Sequence, residues 1–133
     1  SLFNFDGCFC YIFLFLCFAI QFLDAAHDKY PQAPELLAHL GKFVPADGLA
    51  AVAGGSEGET LRALDFAPIP DRPARNLFTQ EVIDQELTRM AENQQPDGGW
   101  HVDFASYSPA AALEWNGYKT VSTISILKQN HLI

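Results

Sequence analysis

The sequence predicts an all-α protein built from helix–loop–helix units, and three observations carry that prediction. Apolar residues recur at helical spacing over 36–43, 82–91 and 121–127. No stretch alternates apolar and polar residues as a half-buried strand does. The breaks between the periodic stretches hold proline, glycine and the short polar residues that cap helices, such as Thr79 and Ser108.

Bulk properties narrow the class further. Of 133 residues, 49% are apolar and 18% charged, which suits one ordinary domain with a real core. The net charge is −8, and the eight basic residues form no run. Nucleic acid and anionic membrane surfaces both need clustered positive charge, so neither is expected as a partner. Cys8, Cys10 and Cys17 share one apolar stretch with no partner elsewhere, which argues against a disulfide framework and against zinc. They read as buried thiols, and no metal or cofactor is expected. The chain begins at Ser1 and its single methionine is Met90, so it is expected to be a processed product or part of a longer chain.

Taken in order, 7–23 carries no charge. A membrane span wants about 20 apolar residues, and this run is at the short edge, with Asp6 and Asp24 flanking it. A helix buried on nearly all sides is the favoured reading, with a span as the alternative. A secretory signal lacks both its basic region and its cleavage site. Past Cys17 the pattern turns amphipathic, with Phe18, Phe22, Ala25 and Ala26 on one side and Gln21, Asp24 and Asp28 on the other. The chain therefore divides into an apolar helix over 1–23, buried or membrane-associated, and a helical domain over 24–133. A cytoplasmic location is expected, or a membrane-associated one if 7–23 inserts.

Pro31 breaks the first helix and Pro34 suits the first turn of the next. There Leu36, Leu37, Leu40 and Phe43 form the apolar face, while Glu35, His39 and Lys42 face away. The glycine-rich stretch 54–60 has no Gly-Lys-Ser/Thr, and Glu57 and Glu59 would repel a phosphate, so it reads as a mobile acidic loop. Pro68, Pro70 and Pro73 predict an extended surface crossing over 61–75. Thr79 then caps a helix reaching to about Gln94, with Phe78 stapled to Ile83 and a buried stripe of Val82, Ile83, Leu87, Met90 and Ala91. After Trp100, Ser108 and Pro109 start a short helix that Asn116-Gly117 breaks. A last helix runs from about Tyr118 to about Gln129 on a stripe of Val121, Ile124 and Leu127.

The most specific stretch is 94–100, Gln-Gln-Pro-Asp-Gly-Gly-Trp. Pro96 stops the helix, Gly98 and Gly99 permit a tight turn, and the indole of Trp100 folds back. A faint echo, Leu64-Asp65-Phe66-Ala67 against Val102-Asp103-Phe104-Ala105, points to a repeating unit.

Gln-x-x-Asp-Gly-Gly-Trp at a helix–helix join resembles the QW repeat of squalene and terpenoid cyclases and of protein prenyltransferase β subunits. Gln94 or Gln95, Gly98 and Trp100 match its core, whereas Met90 stands where an aromatic or leucine is usual. The stretch 62–130 is similar to the C-terminal part of bacterial proteins described as prenyltransferase-like or terpene-cyclase-like. The resemblance implies a partial α/α toroid in which the glutamine and tryptophan pack together, and it implies an apolar, isoprenoid-like small-molecule ligand. It transfers no catalysis: the Asp-x-Asp-Asp acid, the Asp-Asp-x-x-Asp magnesium site and the zinc ligands are all missing. The favoured reading is thus a toroid fragment without a complete catalytic set. The alternatives are an isoprenoid cyclase or prenyltransferase with its catalytic residues in other repeats, and a membrane-anchored helical binding module. Phe104, Tyr107, Trp115 and Tyr118, with Trp100, are the candidates to line a pocket; Asp97 and Asp103 are the candidate catalytic carboxylates, each also explicable as a turn residue.

Overall fold

Helix caps, prolines and short polar turns set the element boundaries in the computed structural model, which describes residues 12–52 and 57–133. The described chain is mostly helical: α1 (Ile12–Ala25), α2 (Ala33–Gly41), α3 (Ala63–Phe66), α4 (Gln80–Glu92) and α5 (Pro109–Gln129), with a 3-10 turn at Pro73–Leu77. Pro34 lies in the first turn of α2, and the Thr79 and Ser108 hydroxyls accept the Val82 and Ala111 amides at the starts of α4 and α5. One feature departs from all-α. Strand β1 (Ala50–Ala51) pairs antiparallel with β2 (Thr60–Leu61), and two residues per strand are too few to show alternation in sequence.

Helix α1 packs on α2, α3 and the 3-10 turn, α3 packs on α4, and α4 meets α5. Ile20, Leu37, Leu64, Phe66 and Ile83 are the largest fully buried apolar side chains, and one cluster carries this core from Cys17 to Leu127.

The expected surface crossing over 61–75 is instead the centre of the molecule. Ala63, Leu64, Phe66, Ala67 and Ala74 are all buried. The short helix α3 completes itself before Pro68, because the Asp65 carboxylate accepts the Arg62 amide at 2.8 Å across the first turn. Proline-rich backbone has carbonyls and amides that no ladder satisfies, so side chains must do it. The Arg75 guanidinium donates to the carbonyls of Ala67 (2.6 Å) and Pro68 (3.0 Å) and to the Asn130 side chain (2.6 Å).

That need also reverses the expected orientation of α1. Asp24 is buried, and its carboxylate accepts the Ala74 amide at 2.9 Å. The Gln21 amide donates to the Asp65 carbonyl at 2.6 Å. Phe15, Phe18 and Phe22, in contrast, are 71%, 62% and 62% exposed, so α1 is not buried on nearly all sides. Among the described residues no helix is long and apolar enough to cross a membrane. The start of the uncharged run, with Cys8 and Cys10, lies outside the described residues, as does part of the expected acidic loop.

Helix α5 likewise differs from expectation. Asn116-Gly117 does not break it, because the Asn116 side chain is engaged with the Val102 amide (3.0 Å) and its carbonyl accepts the Thr120 hydroxyl (2.8 Å). The inward face is Thr123 and Leu127, with Asn116 and Thr120 partly buried above them. Val121 and Ile124 of the expected stripe point outward, at 67% and 41% exposure. In α4 the stripe holds for Ile83, Leu87 and Met90, while Ala91 is exposed and Glu86 is buried. Glu86 is held by ion pairs to Arg62 (3.5 Å) and to Arg89 one turn away.

Candidate functional site

The helix join at 94–100 is built almost wholly from hydrogen bonds. The amide of Gly98 donates to the Gln95 carbonyl, and that of Gln95 to the Gly99 carbonyl, both at 2.8 Å. Gly98 has φ +86° with nothing within 4 Å of where a Cβ would lie, so conformation, not crowding, calls for glycine there. Asp97 accepts the Gly99 amide at 2.9 Å and pairs with His101 at 3.0 Å. The Gly99 amide first, and then His101, hold the Asp97 carboxyl below its ordinary range. Asp97 is therefore an exposed, anionic turn residue, a poor proton donor.

Both glutamine side chains bond to nearby backbone. Gln94 donates to the Gly98 carbonyl and Gln95 to the Asn93 carbonyl, each at 2.9 Å. The buried Trp100 reaches back to α4 instead, its indole N–H donating to the Met90 carbonyl at 2.7 Å. That carbonyl lies among the last four of α4, which have no partner within the helix. Forward, the Trp100 amide donates to the Thr120 hydroxyl of α5 at 2.9 Å. Trp100 thus ties the end of α4 to the middle of α5.

Past this tie the chain lays Val102, Asp103 and Phe104 along a cleft of about 290 Å³. Phe104 meets Trp115 edge-to-face (5.4 Å between centroids, 81°), and Trp115 meets Tyr118 in the same way (5.9 Å, 87°). Leu14 and Phe18 of α1 and the hairpin at Gly58–Leu61 complete the walls. The hairpin comes close: a Cβ on Gly58 would lie 2.9 Å from the Asp103 carbonyl. Three of the five expected pocket residues line this cleft; Tyr107, 99% exposed, and the buried Trp100 do not.

Four charged side chains border the cleft: Glu59, Asp65, Asp103 and Lys119. Of the two candidate carboxylates, Asp103 lines the cleft and Asp97 does not. Asp65 was missed. Burial lifts its carboxyl above the ordinary range, opposed first by the Arg62 amide and then by Lys119. Beside it Cys17 donates to the Asp65 carbonyl at 3.4 Å, and burial pushes that thiol up to about 12. The sequence held one signal for Asp65: the echo of Asp65-Phe66-Ala67 with Asp103-Phe104-Ala105. The two echoes differ in local structure, one helical and one not, yet their aspartates share a cleft.

A larger hollow, about 800 Å³, is lined by Arg72 and Arg75 alongside Asp71 and Asp84, so its formal charges balance and select no ligand class. Among the described residues no group of three or more His, Cys, Asp or Glu is placed to hold a metal ion. Searches against known protein families, curated proteins and solved structures return no match.

Proposed function

We propose that this chain is a segment of an α/α toroid of the prenyltransferase and terpenoid-cyclase kind, which holds an apolar, isoprenoid-like small molecule without completing a reaction on it. The observation that carries this reading is the aromatic corner of Phe104, Trp115 and Tyr118, set directly after the Trp100 tie. Aromatic walls with few polar groups are what a small apolar ligand needs. The outward apolar faces of α1 and α5 support a ring setting, since such faces suit helices that further helices cover. The lowered carboxyl of Asp97 supports a binding role over acid catalysis at that residue. A cytoplasmic setting accords with the unpaired thiol of Cys17.

Isothermal titration with farnesol tests the binding, and incubation with farnesyl diphosphate and with squalene tests the missing chemistry. Saturable farnesol binding, lost in Trp115→Ala, with no cyclised or transferred product, is the expected result. No heat of binding at the solubility limit would remove the reading. Turnover would replace it with an enzyme.

A further inference from the structure

We propose that α5 pairs antiparallel with α5 of a second copy of this chain, closing a twofold dimer centred on Val121. The inference goes beyond the ligand reading and stands without it. Glu114, Tyr118, Val121, Ile124 and Lys128 share one face of α5 at helical spacing, and all five are exposed. The middle of this face is apolar: Tyr118 is 68% exposed, Val121 67% and Ile124 41%. Its ends carry opposite charge, with Glu114 toward the start of the helix and Lys128 in its last turn. Neither charged side chain takes part in a hydrogen bond or ion pair among the described residues. On the same face Gly117 has nothing within 4 Å of where a Cβ would lie, so a neighbouring helix has room to approach.

The spacing on this face is symmetric about Val121. Glu114 and Lys128 each lie seven residues from it, and Tyr118 and Ile124 each lie three. A twofold axis through Val121, perpendicular to the helix, sets Val121 against its own copy. It also sets Tyr118 against Ile124 of the second copy and Glu114 against Lys128 of the second copy, each contact occurring twice. A parallel pairing would set Glu114 against Glu114 and Lys128 against Lys128, so charge selects the antiparallel one. Helix α1 also turns Phe15, Phe18 and Phe22 outward, but its residues from Ile12 to Leu23 carry no charge, so that face specifies neither partner nor direction. The stretch 114–128 rises about 21 Å, roughly four turns. Two helices touching over that length bury less than the ~1,600 Å² of a standard interface, so the expected dimer is a weak one, with a micromolar dissociation constant.

The test is sedimentation equilibrium of the full chain from about 1 to 200 µM, a range that brackets such an affinity. The mass should rise from one copy to two across it. Glu114→Lys and Lys128→Glu should each weaken the dimer about tenfold, because each turns two attractions into two repulsions. The double swap should restore the parent's affinity. An equimolar mixture of the two single variants should pair as well, since unlike charges then meet at both ends. Val121→Asp sets two carboxylates together on the axis and should keep the chain monomeric throughout. All three positions are exposed, and far-UV circular dichroism checks that each variant keeps the parent's helix content. A parent that stays monomeric at the highest concentration overturns the inference, as does a mass above two copies. A dimer indifferent to Val121→Asp overturns it in favour of another surface, such as that of α1. Weakened single variants that neither the double swap nor the mixture rescues overturn the antiparallel pairing.

Discussion

Replacing Trp100 probes the tie between α4 and α5 at two levels. The indole is buried, and its N–H is the partner of the Met90 carbonyl, for which no helical donor is available. Trp100→Phe keeps most of the apolar volume but strands that carbonyl, at a cost of about 1–3 kcal/mol. Trp100→Ala removes the volume as well and should cost about 3–5 kcal/mol. With a urea slope near ~2 kcal/mol/M, the alanine variant should unfold about 2 M earlier than the parent. Far-UV circular dichroism is the readout, because the substitution removes one of two tryptophan fluorophores. The two-step order is the decisive part: parent, then phenylalanine, then alanine. An alanine variant within about 1 kcal/mol of the parent would show that the indole does not join the helices. A phenylalanine variant equal to the parent would show that the Met90 hydrogen bond contributes nothing.

Three further outcomes are expected. Asp24→Ala leaves the buried Ala74 amide without its acceptor and should cost about 1–3 kcal/mol in urea melts; a loss of only a few tenths would contradict the inward orientation of α1. Because burial raises the Asp65 carboxyl in the folded chain, the folded state binds its proton more readily than the unfolded one. The stability difference between the parent and Asp65→Asn should therefore shift in the parent's favour as pH falls from neutral toward the ordinary aspartate range, and parallel thermal-melt profiles would count against the burial. The Cys17 thiol, pushed up to about 12, should resist iodoacetamide at pH 8 in the folded chain and react in urea; peptide mapping separates it from Cys8 and Cys10, and modification at the rate of a free cysteine would refute its burial.

Much of the fold was legible because its signals are local. Thr79, Ser108 and Pro34 act within a turn of where they stand, so caps and helix starts could be read from adjacent residues. The turn at 95–98 was legible for the same reason. What sequence reasoning missed depends on partners far along the chain. Asp24 faces inward because Ala74 needs an acceptor, and Asn116 stays helical because Val102 engages its side chain. No periodicity contains that information. The cleft was half legible: its rings follow the motif within 18 residues, whereas Asp65, Phe18 and Gly58 reach it only through the folded path of α1 and the hairpin. The glutamine side chains each donate to a nearby turn carbonyl, a bond set by local chemistry.

The reversed face of α1 bears on the order in which the molecule assembles. The Trp100 tie spans 10 residues back to Met90 and 20 forward to Thr120, so α4, the turn and α5 close short loops. Helix α1 instead docks through Gln21 to Asp65, 44 residues away, and Asp24 to Ala74, 50 residues away. Closing the longer loops costs more entropy before any contact rewards it, so α1 is expected to join a unit already formed. Substitutions at Asp24 should then accelerate unfolding with little effect on the refolding rate, and those at Trp100 should slow refolding. Until α1 arrives, Leu64 and Phe66 lack part of their cover, so this late step is also when the chain is most open to association with other copies of itself.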